Sequence, residues 1–430
     1  MGVRPIRAGI VVTGTEVLTG RVTDRNGPWL AERLRELGVD VGRTVVVGDR
    51  REDLATALRF QLADHDLVIT SGGLGPTADD LTAEVVAQVQ GRAMALDRDL
   101  ADRIEEIVAG YAARRSWTTP PEILRQGSEK QAMVPDGAVV LTPIGTAPGL
   151  VVPAADGGAA VVVLPGPPSE LQPMWAEAIA SAPVRAVLDR ASELRQAEIR
   201  IWGPPEAELA AALRVHEDAH GPLDEAGLEV TTCVRDGELE IVSRFAPEAA
   251  GAYGDLHASL SATFGEQIYA DDGRSLDDVV AEVLLERGET VATAESCTAG
   301  LVAARLADRP GSSAYLLGGF VTYANEAKTA EVGVSTGLLE AHGAVSREVA
   351  EAMARGARER LGTTYGISTT GVAGPGGGTA DKPVGLVHIA VAVTDGSVAH
   401  RELFVAGDRA AVRRRTVVAA LHLLRATMAR

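Results

Sequence analysis

Short apolar runs punctuate the first 165 residues, spaced so that a helix fits between neighbouring runs. Residues 8–12, 45–47 and 67–70 are apolar and largely β-branched, and the intervening stretches 27–37 and 51–63 carry helical spacing. Runs apolar at every position, rather than every second one, predict strands buried on both faces of a parallel sheet. Two further strands are expected at 139–141 and 160–164. The second ends in Pro165-Gly166-Pro167-Pro168 and leads into a helix over 169–179. The pattern is that of a three-layer α/β domain.

The pattern changes after about residue 175. Residues 196–202 and 228–245 read as strands, the latter folded into a hairpin over Arg235-Asp236-Gly237, with helices at 205–215 and 247–264. Pro247 falls in the first turn of its helix, where a missing N–H costs nothing. These residues predict a small α+β module. Asp271-Asp272-Gly273-Arg274 is a polar break, and Ser275 is a suitable N-cap for a helix over 276–287. Strands expected at 290–294, 319–322, 366–369 and 385–393 then resume the α/β alternation. At 430 residues the chain is too long for one ordinary core. The expected division is 1–172, 173–270 and 271–430.

Composition narrows the function classes. With 46% hydrophobic and 23% charged residues the chain is an ordinary globular one, and 3% aromatics leave the cores to Val, Leu, Ile and Ala. Cys233 and Cys297 supply neither a disulfide framework nor a cysteine zinc site. No apolar leader and no apolar run of ~18 residues is present, so a reducing cytoplasm is expected and a membrane is not. A net charge of −18 repels a phosphate backbone, so no DNA binding is expected. The basic run Arg413-Arg414-Arg415 reads as a solvated helix face.

Candidate chemistry gathers where strands give way to small and polar residues. In the last domain the segments are Glu295-Ser296-Cys297-Thr298-Ala299-Gly300, then Pro310-Gly311-Ser312-Ser313, then 319–328 with Tyr323 and Lys328, and finally Thr369-Thr370-Gly371 with the glycine-rich 372–378. Hydroxyls and free N–H groups at a helix start suit an anion or oxyanion, and glycines let backbone approach a ligand. Taken singly, each has a plain structural role: Ser296 as a cap, Cys297 as a buried hydrophobe, Lys328 as a surface lysine. Nothing in sequence gives His342 or His388 an orienting acid for a serine–histidine pair.

Together these segments closely resemble the competence/damage-inducible protein A family (CinA). The strings are AESCTAG, PGSSAYLLGGFVTYANEAK, HGAVS, TTGVAGPGGG, KPVG and AGDRAAVR, covering nearly all of 290–415. The resemblance implies a nicotinamide mononucleotide deamidase with no cofactor, and a homodimer. It implies a serine nucleophile at Ser313, with Lys328, Tyr323 and Ser296 as partners, Thr370 and Gly371 along the oxyanion region, and Arg409 beside them. Ser313 in its turn is expected to face both Tyr323 and Lys328, with Arg409 helping to lower the lysine's pKa and Tyr323 relaying the proton. Ala299 departs from the glycine of many relatives and is expected to be tolerated inside the helix start.

The first domain carries Thr13-Gly14-Thr15-Glu16 and Ser71-Gly72-Gly73-Leu74-Gly75-Pro76-Thr77-Ala78-Asp79-Asp80 after its first and third strands. Glycine-rich turns at the carboxyl ends of parallel strands are where open α/β sheets bind ligands. Thr77 is a candidate cap for a helix starting near Asp79, whose carboxylate and that of Asp80 would oppose the helix dipole. The same resemblance implies a molybdopterin-binding-like fold here, followed by a KH-like module. An ADP-ribose-like ligand is expected at Gly14, Thr15, Glu16, Ser71, Gly72, Gly73, Gly75 and Asp79. Mg2+ or another divalent cation is expected at Asp80. Two other readings stand beside the enzyme: a nucleotide or pterin receptor with an inactive amidase, and a DNA-handling protein.

Overall fold

Alternate residues of one strand enter different cores, which is why the strands of the first sheet read as unbroken apolar runs. Ile10 and Val12 pack with Leu30, Leu34, Met174 and Trp175 on one face, while Val11 packs with Leu54, Leu58 and Val86 on the other. In the computed structural model, which describes residues 6–115, 120–153 and 158–429, the chain is α/β and forms two compact units, Met1–Arg195 and Gln196–Arg430.

The first unit holds a six-stranded sheet in the order Asp40–Val47, Arg7–Thr13, Leu67–Ser71, Ala160–Leu164, Gly149–Val152, Val139–Leu141. The first four strands are mutually parallel, Gly149–Val152 alone runs against them and Val139–Leu141 runs with them again, so the sheet is mixed rather than wholly parallel. Gly149–Val152 was not evident in sequence, because four residues after a Gly-Thr-Ala-Pro turn give no periodicity. The boundary expected at 172/173 falls inside the helix Pro168–Ala180. That helix and the next, Ala182–Leu188, seal the sheet with Leu171, Met174, Trp175, Ala178, Val184 and Val187, so the first unit needs them.

The helix expected near Asp79 starts later, at Thr82–Val89, with Leu81 at its N-cap and no side-chain cap. Thr77 is instead in a tight turn, donating its N–H to Asp80 at 2.9 Å and its hydroxyl to Asp79 and Asp80. Side-chain bonds of this kind compete with helix formation, and both aspartates precede the helix rather than standing in its first turn.

The second unit contains two sheets. One has the order Leu228–Arg235, Glu238–Phe245, Arg195–Trp202, Ile268–Ala270. Its hairpin turns on Asp236 and Gly237, both at positive φ, as a two-residue hairpin loop requires. The other has the order Leu316–Val321, Val291–Glu295, Tyr365–Gly371, Leu386–Val393, Val398–Phe404. The edge strand Val398–Phe404 escaped sequence reading because its mixed polar pattern lacks the alternation of a half-buried strand. Ser275 caps Leu276–Arg287 through a capping box with Asp278. The last helix, Arg409–Met428, ties the two sheets together: His422 stacks on Trp202 at 4.2 Å and shares Glu238 with the Tyr269 hydroxyl. The sequence boundary at 270/271 therefore lies within one packed unit.

Candidate functional site

Three parallel strands of the five-stranded sheet end together. Glu295 lies opposite Val321 on one side and Thr369 on the other, so the loops after all three strands emerge at one edge. The first loop is the turn Ser296–Gly300. Its shape is set by Glu295, a buried carboxylate that accepts from the N–H groups of Gly300, Val302 and Ala303 and from the Thr298 hydroxyl. One acid thus satisfies several orphan donors at the start of Leu301–Ala307. Ser296 donates its N–H to the Thr369 carbonyl at 2.9 Å and does not cap this helix.

Lys328 stands in the helix Asn325–Val332 and is only 1% exposed. Its Nζ lies 3.1 Å from Ser296 Oγ, 2.9 Å from the Thr322 carbonyl and 3.1 Å from the Tyr323 carbonyl. Burial pushes the Lys328 ammonium below its ordinary value. Arg409 does not contribute to that shift, contrary to expectation. Its guanidinium is held by the Tyr323 hydroxyl at 2.8 Å and the Gly374 carbonyl at 2.9 Å. The Tyr323 hydroxyl is therefore occupied by Arg409, and no hydrogen bond links it to Lys328 or Ser296 among the described residues.

The loop serine behaves differently from its expectation. Ser313 is exposed in the short 3-10 turn Ser312–Ala314, and its hydroxyl has no bond to Tyr323 or Lys328 among the described residues. The serine that meets the lysine is Ser296. Spacing in sequence misled here, because Lys328 folds back under the end of Val291–Glu295 rather than toward its own upstream loop. Cys297 is buried, and burial pushes its thiol up to about 12, so at neutral pH it carries no thiolate.

Thr370 and Gly371 do reach this edge, at the end of Tyr365–Gly371. The Thr370 hydroxyl donates to the Ala344 carbonyl at 2.7 Å, and a Cβ at Gly371 would sit 2.7 Å from the Leu386 carbonyl oxygen. Both therefore shape the wall through backbone. His388 faces His400 at 3.1 Å and His342 lies 3.5 Å from Glu348, so neither histidine touches Ser296.

Two features of the turn were misread in sequence. Ala299 lies outside the helix, at φ 52°, the left-handed region. That conformation costs a residue with a Cβ roughly 1–2 kcal/mol, of which glycine's greater freedom in the unfolded chain would remove about 0.4–1 kcal/mol. Ala299→Gly is accordingly expected to stabilise the protein by about 0.5–1 kcal/mol, read as a higher denaturation midpoint. A lower midpoint would count against strain at this turn. Second, Arg413 is no solvated helix residue: it donates Nε to the Cys297 carbonyl at 3.1 Å and Nη2 to the Thr298 carbonyl at 2.8 Å. Arg414 pairs with Asp236 and Arg415 with the Ala406 carbonyl. The i, i+4 spacing of Arg409 and Arg413, which puts both on one helix face, was the available signal.

In the first unit the carboxyl ends of the parallel strands surround a cavity of about 350 Å³. Gly14, Glu16, Gly72, Gly73, Gly75, Asp79 and Asp80 line it, joined by Asp49 and Glu170, which were not expected. Burial pushes the Glu170 carboxyl up, and the Thr77 hydroxyl holds Asp79 down. Ser71 and Thr15 stand apart: Ser71 accepts from Asn26 at 2.8 Å beside a neighbouring cavity, and Thr15 donates its N–H to Asp49 at 2.8 Å. Among the described residues no three His, Cys, Asp or Glu side chains converge as a resident metal requires. The Asp80 carboxylate is engaged by Thr77. Mg2+ bound mainly through a ligand's phosphates needs only one or two carboxylates, and the acidic lining suits an ion that arrives with such a ligand.

A family described as "CinA C-terminal domain" matches residues 273–428, and one described as "Probable molybdopterin binding domain" matches residues 9–184. A CinA-like protein of Mycobacterium marinum is 52% identical over 97% of this chain and 98% of its own length. A CinA-like protein of Mycolicibacterium gilvum is 54% identical with the same coverage. Among solved structures, the competence/damage inducible protein CihA from Agrobacterium tumefaciens is 42% identical, covering 36% of this chain and 96% of its own, with a TM-score of 0.35.

Proposed function

The chain belongs to the CinA family, and we propose that its second unit hydrolyses the carboxamide of nicotinamide mononucleotide with Ser296 as nucleophile and Lys328 as general base. The observation that carries this reading is the buried Lys328 Nζ at 3.1 Å from Ser296 Oγ. An amide is a poor electrophile, so its hydrolysis needs an activated nucleophile and a proton for the leaving ammonia. A neutral lysine amine takes the Ser296 proton as Oγ attacks the carboxamide carbon. The tetrahedral adduct collapses with that proton passing from Lys328 to the departing ammonia, leaving an acyl ester on Ser296. Water then attacks the ester, Lys328 again taking and returning the proton, and nicotinate mononucleotide leaves. Tyr323, Arg409 and the glycine-rich loop wall the same edge and are assigned to holding substrate.

An inactive amidase would have no reason to keep a buried lysine on a serine hydroxyl, since a buried ammonium is costly. The reading places the protein in pyridine-nucleotide salvage, as a cytoplasmic homodimer. No helix among the described residues is long and apolar enough to cross a membrane. The test is ammonia release from nicotinamide mononucleotide by the purified full chain. No release above the uncatalysed rate would refute it.

A second reading is carried by the glycine-lined cavity of the first unit. We propose that it binds an ADP-ribose-like ligand through its pyrophosphate, with Gly72, Gly73 and Gly75 admitting the phosphates. A divalent cation held between those phosphates and the carboxylates that line the cavity, Glu16, Asp49, Asp79 and Asp80, would supply charge neutralisation. Calorimetric titration of the full chain with ADP-ribose is expected to show binding that tightens with Mg2+. Heat changes absent both with and without Mg2+ would remove the nucleotide from this cavity.

A further inference from the structure

The turn that carries Ser296 is strained at Ala299, just beyond the nucleophile, while Gly300 takes up its positive φ without that cost. Ala299 at φ 52° and Gly300 at φ 93° follow one another, both left-handed. Conformations of this kind persist only where the surroundings over-determine them. Glu295 holds the turn from inside, through the N–H groups of Gly300, Val302 and Ala303. The carbonyls of Cys297 and Thr298 accept from Arg413, half-buried on the last helix, and the Thr298 carbonyl also takes the Leu301 N–H at 3.4 Å. A planar guanidinium is suited to this task, since its Nε and Nη2 present two donors in fixed register. One turn earlier on the same helix face, Arg409 holds Tyr323 and Gly374, from the second and third loops of the site.

We propose that Arg413 is the positioning residue of Ser296: its fork on the Cys297 and Thr298 carbonyls fixes the turn that directs Oγ to Lys328, without touching the substrate. The proposal rests on the amidase reading. Because Arg413 acts on the geometry of attack, its loss reduces turnover rather than binding. A misplacement of about 1 Å at a reacting group costs roughly 100-fold in rate.

The test uses the full chain with nicotinamide mononucleotide as substrate, each variant first checked for native circular dichroism. Arg413→Met keeps the volume and removes both donors. It is expected to lower kcat about 100-fold while KM stays within about 3-fold. Arg413→Lys retains the charge, but one ammonium cannot span both carbonyls in register, and kcat is expected to fall about 10-fold. In Arg413→Ala, added methylguanidinium is expected to restore part of kcat, a response that a purely structural defect would not give. Folded Arg413→Met with kcat within about 2-fold of the parent overturns the proposal. So does a loss confined to KM, or a slow Arg413→Ala that methylguanidinium leaves unchanged. If Arg413→Met does not fold, Arg413→Lys decides: parental kcat overturns the need for the fork. Ser296→Ala is the control for the underlying reading. A dead Ser296→Ala beside an unaffected Arg413→Met sinks the positioning role alone, whereas an active Ser296→Ala sinks the reading and the proposal together.

Discussion

Ser296→Ala is expected to slow ammonia release from nicotinamide mononucleotide by about four orders of magnitude or more, as loss of a nucleophile does in hydrolases whose catalytic residues act as a unit. Ser313→Ala is expected to leave kcat within about 2-fold. The two serines stand in adjacent signature strings, and a hydroxyl in a Pro-Gly-Ser-Ser turn looks in sequence like the freer and more reactive one. Freedom is the wrong criterion. An exposed serine hydroxyl without a base is a weak nucleophile; among the described residues none bonds Ser313 as a base, whereas Ser296 has Lys328 at 3.1 Å. Cys297→Ser serves as the third member of the comparison. Its thiol, pushed up to about 12 by burial, is protonated at working pH, so the substitution is expected to alter stability slightly and turnover little. Kinetics of the three variants decide among them. Near-parental activity in Ser296→Ala with inactivity in Ser313→Ala would return the nucleophile to the loop, and an inactive Cys297→Ser would make the enzyme a thiol amidase.

Lys328→Met is expected to match Ser296→Ala, with a loss of about four orders of magnitude, because base and nucleophile remove the same step. Its pH behaviour gives a sharper test. Only the neutral amine can accept the serine proton, and burial holds the Lys328 pKa below the ordinary 10.5. The neutral fraction grows as pH rises, so kcat/KM of the parent is expected to climb through the lowered pKa and level off above it, below 10.5. A profile that falls over this range, or whose rising limb persists with Lys328 removed, would exclude the lysine as base. Stability follows the same proton with a defined sign. A cation whose pKa is lowered on folding binds its proton better in the unfolded chain. It therefore subtracts stability at pH values below the folded pKa, and the penalty fades as pH rises toward 10.5. The melting temperature of the parent should thus gain on that of Lys328→Met between neutral pH and about pH 10. A gap that widens in the opposite direction would show that the lysine is not held against its charge.

The sequence by itself determined the doubly buried strands and the places where loops carry chemistry, but not the strands Gly149–Val152 and Val398–Phe404. Strands such as 67–70 and 160–164 were legible because burial on both faces leaves no alternating polar positions in the run, and Leu67–Ser71 and Ala160–Leu164 are buried throughout. The Ser275 cap was legible because capping is a matter of neighbours three residues apart. Glycine density at 14–20, 72–75 and 371–378 marked the loop edges for the same local reason. Tertiary structure alone decided which residues meet. Lys328 could be assigned to Ser313, fifteen positions away, or to Ser296, thirty-two away, and nothing local ranks these; the parallel pairing of Val291–Glu295 with Leu316–Val321 brings the distant serine to the lysine. Arg413 shows the same limit from the other side. Its basic neighbours suggested a solvated face, yet its partners are the carbonyls of Cys297 and Thr298, more than a hundred residues earlier. A backbone carbonyl is present at every position and leaves no mark on composition, so no pattern in the chain could have announced it as a partner. Side-chain identity fixes what a residue can donate or accept, but the choice of partner belongs to the packing of strands and helices that are remote in sequence.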